Sequence, residues 1–379
     1  MTYTLWGSAH SLYTGKIRSY LIKKRLAFVE RYPSNPEFAT RVLPAVGVRV
    51  IPVLETPDGL ILQDSGDMID WLEAHEAGPQ LEPDCPVQQT VSLLLDAFGS
   101  ENLLPLAMHY RWSYCADQEE FLRAEFGRTM AADMSRADRR EAAAKTMAFF
   151  NGFLPNLGVT DAVIPAMEAA WFELMDLLDE HFQHHPYLLG GRPCRADFGM
   201  MAPLFAHLGR DPVPANLMKL RAPNLYRWTE RMNLATISDG EYPGYAESFA
   251  PAGTVPESLL PVLRLIAADW VPGLNADAAC FNEWASDKPA GTIVSRKGER
   301  QVHPNVGSIA FDWRGTVMQR GSQPHMLWML AKAQAKAASL ATPSAERLAV
   351  IMAATDGQAL LDLPISRAMA RQDNVLVLA

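Results

Sequence analysis

A proline in the second position of a short apolar run, Ile51-Pro52-Val53-Leu54, constrains this chain more than any other feature. Proline has no N–H to give to a central ladder, so the run suits a sheet edge, or a cis peptide that turns the preceding amide and carbonyl toward a ligand. A second apolar run, Leu60-Ile-Leu62, follows closely. Between the two, Thr56-Pro-Asp-Gly59 has proline second and glycine fourth, as a type I turn prefers, and the pair reads as a hairpin. Upstream, Tyr3 to Trp6 reads as a strand, and Gly15 to Lys24 as a helix with Ile17, Tyr20 and Leu21 on one face. Downstream, Asp64 or Ser65 can cap a helix that turns Met68, Ile69 and Leu72 inward and places Asp67 and Asp70 toward its positive end. The order is therefore strand, helix, an unassigned stretch, hairpin and helix, which is a small α/β unit.

From Gly78 to Gln88 the composition turns to proline, glycine and acid (GPQLEPDCPVQ), the signature of a linker. Helical patterns follow: Met167, Trp171, Leu174, Met175, Leu178 and Phe182 make one stripe, and Phe198, Met201, Leu204, Phe205 and Leu208 another. A second break spans Asp239 to Pro256. The remainder mixes a helical stretch, a strand pair around Ser308 to Gln319 and two more helices. The expected division is an α/β domain at 1–77, a linker at 78–87, an all-helical domain at 88–245 and a mainly helical extension with a small strand element at 246–379. A chain of 379 residues suffices for two or three domains.

Charge and cysteine usage narrow the partners. The formal net charge of −9 has the wrong sign for a phosphate-backbone binder, so nucleic acid is not expected. The densest apolar run, Leu259 to Leu274, is broken by Arg264 and Asp269 and falls short of the roughly 20 residues a membrane span needs. Met1 to Trp6 has no basic stretch leading into an apolar one, and no signal peptide is expected. The four cysteines, Cys85, Cys115, Cys194 and Cys280, form no CxxC pair, which argues against a disulfide scaffold and a zinc knuckle and for a reducing cytoplasm.

Three places in the first unit favour anions or present backbone. Asp64-Ser65 lies at a helix N-terminus, where free amides and the dipole attract carboxylates. Ser11 precedes the first helix, and Pro52 opens the hairpin. With these on hand, the chain resembles a cytosolic glutathione S-transferase. Ser11-Leu-Tyr-Thr-Gly-Lys-Ile-Arg18 resembles the family's active-site loop and first helix, Ile51-Pro52-Val53-Leu54 its cis-proline strand, and Asp64-Ser-Gly-Asp-Met-Ile-Asp-Trp-Leu72 its acid-serine signature. The linker prolines Pro79, Pro83 and Pro86, the stretch Tyr187 to Phe198 and Pro223-Asn-Leu-Tyr-Arg-Trp228 are similar to later family motifs, in the family's order. The resemblance spans about residues 1–240.

It implies a thioredoxin-like α/β domain followed by an all-α domain, with the extension as an addition. It also implies glutathione as cosubstrate, a small hydrophobic electrophile, no metal, and a homodimer engaged in detoxification. Ser11 takes the place of the catalytic Ser or Cys, with Tyr13 as rival thiol donor, and Thr14 stands where a glutaredoxin has its second cysteine. Ile51 would offer its backbone to the cysteinyl part of glutathione beside a cis Pro52, while Asp64 and Ser65 would hold the γ-glutamyl amine and carboxylate. A free thiol with a pKa of about 8.5 is a few per cent thiolate at neutral pH, and a hydroxyl donor with a helix N-terminus would raise that fraction. The thiolate then attacks carbon, in conjugation or in thiol-dependent ether or halide cleavage. The alternative is a non-catalytic member of the fold that binds a ligand or protein partner through its extension.

Simpler readings stand beside these. Serine cannot form a mixed disulfide, which argues against a glutaredoxin-like enzyme. Cys194 replaces the usual capping Ser or Thr and predicts a cap weaker by about 0.5 to 2 kcal/mol. His181, His184 and His185 before Pro186 read as a solvated helix end. Met108, Tyr110, Arg111 and Trp112 read as core before pocket wall, and His10 as an exposed loop residue. Trp270, Trp284, Trp313 and Trp328 in the extension point to packing against the body.

Overall fold

The molecule is described by a computed structural model covering residues 2–301 and 303–379. Four strands form the first sheet: β1 (Tyr3–Trp6), β2 (Phe28–Arg31), β3 (Val53–Glu55) and β4 (Ile61–Gln63), in the order β2-β1-β3-β4. β1 runs parallel to β2 and antiparallel to β3, and β3–β4 is the hairpin closed by Thr56 to Gly59. Side chains alternate across the sheet as strand geometry requires. Leu5 and Leu54 face α1 (Leu12–Lys23) and α3 (Ser65–His75), against Ile17, Tyr20, Leu21, Met68 and Leu72. Trp6 and Val53 face the other way, against Phe38, Val42 and Val46 of a π-turn and the short α2 (Leu43–Val46). This is a thioredoxin-like α/β unit, and the unassigned stretch supplies β2 and α2.

Helices follow: α4 (Pro86–Ala97), a π-helical segment (Phe98–Asn102), α5 (Leu104–Trp112), α6 (Glu119–Arg128), α7 (Arg136–Asn151), α8 (Ile164–His184), α9 (Arg195–Ala206), α10 (Pro212–Arg221) and α11 (Pro223–Met232). α9 packs on α1 and α4, and a buried ion pair ties the sheet unit to the helices: Lys16 Nζ lies 2.5 Å from Asp96 Oδ1, both side chains almost wholly buried. The α9 N-terminus carries a correction. Cys194 was expected to leave it weak, but Asp197 accepts from the Cys194 N–H at 2.9 Å, and Ser92 of α4 accepts from the Ala196 N–H at 2.9 Å. A neighbouring helix supplies the oxygen that cysteine lacks. His181 also departs from expectation. It is fully buried, with its ring nitrogens on Ser258 and the Tyr187 carbonyl, while His184 is exposed as expected.

The extension is one with the body. α12 (Leu259–Ala285) is 27 residues long and packs on α8 with Trp270 fully buried, and among the described residues no helix is long and apolar enough to cross a membrane. The hairpin β5 (Ser308–Trp313) and β6 (Thr316–Gly321) turns through Arg314 and Gly315, both at positive φ. Then α13 (Pro324–Ala338) lies along α4, and α14 (Thr342–Ala354) and α15 (Gln358–Asp362) pack behind it. The chain ends in a hairpin, not in a helix: β7 (Met369–Gln372) pairs with β8 (Val375–Leu378). Its turn residues Asp373 and Asn374 both have positive φ, 49° and 63°, as the type I′ turn that joins twisted strands demands.

Candidate functional site

Strand register decides where the site parts lie. Trp6 at the end of β1 pairs with Val53 at the start of β3, and Val53 pairs with Gln63 at the end of β4. The loop leaving β1, the Ile51-Pro52 peptide entering β3 and the residues leaving β4 therefore meet at one end of the sheet. The Ile51-Pro52 bond is cis. The N-termini of α1 and α3 open at the same end, so two helix dipoles face the region that Pro52 borders.

Ser11 is the extended N-cap of α1, and its side-chain oxygen accepts from the Thr14 N–H at 3.4 Å. Its hydroxyl proton has no acceptor among the described residues. The loop before it is tight: a Cβ on Gly7 would stand 2.3 Å from Thr14 Cγ2, so only glycine fits. Arg111 fixes the loop from behind. Its guanidinium is buried in a bidentate pair with Asp211 and donates to the His10 carbonyl at 2.8 Å. His10 itself is half-buried and packs its ring, tilted, on Phe126, with ring centroids 4.2 Å apart, so the expectation of an exposed loop histidine is corrected. Met108, Tyr110, Arg111 and Trp112 are all buried, as core.

Tyr13 points its phenol at Glu101 of the π-segment, donating to Oε1 at 3.2 Å. Burial first, and then the Glu101 charge, push its pKa well above the ordinary phenol value. Its proton is committed to a carboxylate.

Asp64 caps α3, its Oδ1 accepting from the N–H groups of Gly66 (2.9 Å) and Asp67 (3.3 Å). Its backbone sits at φ 77°, a region that side chains rarely adopt and that costs about 1–3 kcal/mol unless its surroundings impose it. Ser65 is 7% exposed, and among the described residues its hydroxyl has no hydrogen-bond partner. The other Asp64 oxygen meets the extension: His325 Nε2 of α13 lies 3.0 Å from Oδ2. Arg371 of β7 donates to the Gln63 side chain, stands 3.9 Å from Asp64 and pairs with Asp67 at 3.0 Å. Lys332 of α13 bridges Asp67 and Asp70 at 3.1 and 3.3 Å. Burial opposes ionisation of Asp64, but the His325 hydrogen bond and charge, then Arg371, hold its carboxyl well below the usual range. A cleft remains between the two parts, lined by Val50, Gln63 and Asp64 on one side and Gln301, His325 and Arg371 on the other.

This assembly accords with a known family. Residues 5–80 match the family model of the glutathione S-transferase N-terminal domain. The segment 5–80 is thus identified as a glutathione S-transferase N-terminal domain. Solved structures of low identity cover about 60–68% of the chain. The Tau class glutathione S-transferase from mango, Mangifera indica, is 16% identical over 63% of this chain and 90% of its own, with a TM-score of 0.38. The beta-etherase LigF from Sphingobium sp. strain SYK-6 is 19% identical over 62% and 95%, with a TM-score of 0.39. A glutathione S-transferase from Methylobacterium radiotolerans, solved with glutathione sulfonate, is 18% identical over 68% and 99%, with a TM-score of 0.36. No curated protein matches the chain.

Sequence reasoning placed Ser11, Tyr13, Ile51, Pro52, Asp64 and Ser65 in one candidate site, and the fold brings their elements to one end of one sheet. It missed Glu101, His325, Lys332 and Arg371. One signal was available: His325, Trp328 and Lys332 are three and four residues apart, so a basic and aromatic stripe lies on one face of α13. Lys332 Nζ indeed stands 4.0 Å above the Trp328 ring. Among the described residues no cluster of His, Cys, Asp or Glu is arranged to hold a metal ion.

Proposed function

We propose that this chain is a glutathione-dependent transferase that activates the glutathione thiol for attack on a hydrophobic electrophile. The observation that carries the reading is the convergence of Ser11, the cis Ile51-Pro52 peptide and Asp64-Ser65 at one sheet end, where two helix N-termini open. In this reading Ile51 pairs its backbone with the cysteinyl residue, and the Ser65 hydroxyl at the positive end of α3 holds the γ-glutamyl carboxylate. Asp64 takes the ammonium. Ser11 donates to the sulfur: its proton is free, whereas that of Tyr13 is held by Glu101. A neutral donor and a helix N-terminus stabilise thiolate over thiol, and each pKa unit is worth about 1.4 kcal/mol.

The test is turnover of reduced glutathione with a chromogenic aryl halide. Ser11→Ala is expected to slow transfer about ten- to a thousandfold with binding little changed, and Tyr13→Phe to be mild. The reverse ranking moves the thiol donor to Tyr13. One observation favours the non-catalytic alternative, the lie of α13 and β7 across Asp64. Glutathione binding without turnover of any electrophile decides for it.

A further inference from the structure

His325 stands between two acids from different parts of the molecule. Its Nε2 is 3.0 Å from Asp64 Oδ2 at the start of α3, and its Nδ1 is 3.1 Å from Glu101 Oε1 in the π-segment. An ionised carboxylate only accepts, so satisfying both contacts requires protons on both ring nitrogens, which is an imidazolium. Beside it Ser65 is 7% exposed, and its hydroxyl has no hydrogen-bond partner among the described residues, at a helix N-terminus that favours a carboxylate. A carboxylate pair for a cation next to a hydroxyl and a helix N-terminus for an anion matches the two charged groups of an α-amino acid.

We propose that His325 is an internal occupant of the ammonium position: the extension seats its imidazolium between Asp64 and Glu101, and the γ-glutamyl ammonium of the ligand binds by displacing it. The inference rests on the glutathione reading above and adds to it a competitor built into the same chain. Affinity is then reduced by the fraction of molecules in which His325 holds the place.

The charges around the ring agree with an imidazolium. Asp64 and Glu101 touch it. Arg371 from β7 and His303 from the preceding loop oppose its charge, and Lys16 and Tyr13 from α1 act on its two carboxylate partners. Lys332, on its own helix, is drawn off to Asp67 and Asp70. Burial pushes the ring down, but Glu101 and Asp64 more than offset it, so its pKa lies at about 10. Once displaced from both acids, the ring returns to about 6.5, and at pH 7.5 it gives about 0.9 proton to the buffer.

Calorimetry with S-methylglutathione, which has no thiol proton to lose, reads this directly in buffers of different ionisation heat. The full chain is expected to release close to one proton on binding, and His325→Gln none, with at least tenfold tighter affinity. S-methylglutathione acetylated on its amine carries no ammonium, and His325→Gln is expected not to improve its binding. Binding by the unmodified chain without proton release overturns the proposal, and that measurement needs no variant to fold. Equal improvement for both ligands overturns it too, because His325 is then a latch on the extension and not an occupant of the ammonium place. Weaker binding by a folded His325→Gln makes the ring part of the ligand cradle. Absence of binding in every chain overturns the glutathione reading along with the inference.

Discussion

Lys16 was readable only as a position in the first helix, yet in the fold it is 1% exposed and paired with an equally buried Asp96, with Ser100 completing its shell at 3.1 Å. Removing one partner of such a pair leaves a carboxylate in a medium that cannot solvate it. Lys16→Met is expected to destabilise the chain by about 3–5 kcal/mol, and adding Asp96→Leu to recover much of that loss. Denaturant unfolding of the single and double variants checks both. At Ser11 the chemistry is limited by oxygen. Ser11→Cys is expected to gain disulfide exchange with glutathione, because a cysteine before a helix N-terminus has a lowered pKa and can form the mixed disulfide, which mass spectrometry detects.

The α9 cap shows how a local rule is overridden by a neighbouring element. Cysteine is a poor acceptor, but Ser92 reaches across from α4 to the Ala196 amide, and Asp197 gathers the N–H groups of Cys194, Leu188 and the Trp228 indole at 2.9, 3.1 and 3.1 Å. Ser92→Ala is therefore expected to cost about 1–2 kcal/mol, in the range of a lost cap, while Cys194→Ser changes stability by less than that. Thermal unfolding of the two variants ranks them. If Cys194→Ser is the larger change, the cap belongs to position 194 after all.

Across the whole molecule, the extension is held to the sheet unit by apolar packing along α4 and α8 and by His325, Lys332 and Arg371 on the acids of α3. Cutting the chain near residue 250 is expected to bare α4 and α8 and cause aggregation, which light scattering reads. The ionic part depends on pH with a definite sign. His325 has a raised pKa, so its contribution is complete below about 6.5 and is lost as pH climbs toward about 10; Asp64 has a depressed one, so its contribution is complete above about 4. The gap in unfolding temperature between the full chain and His325→Gln is expected to be widest between about pH 4 and 6.5 and to close toward pH 10. A gap that stays constant to pH 10 removes the ion pair as its cause.

Short-range chemistry is what this sequence carries on its face. Proline second and glycine fourth make the turn at Thr56 to Gly59, Asp64 caps α3, and the apolar stripe from Met167 to Phe182 makes α8. Each depends on atoms within one or two turns of chain, so pattern alone determined them, and with them the order of elements that names the fold. β2 was different. Phe28–Arg31 has two charged residues in four, and it becomes a strand because β1 offers it a parallel ladder. The closing hairpin is an intermediate case, since Asp373-Asn374 tolerates positive φ but lacks the glycine that marks such turns plainly. The site divides in the same way. Ser11, Pro52, Asp64 and Ser65 were readable because helix starts and a strand proline have local signatures. The contact of Asp64 with His325 spans 261 residues, and no local pattern encodes it. It exists because α13 packs along α4, and that packing puts a cation from the extension on the acid that caps its third helix.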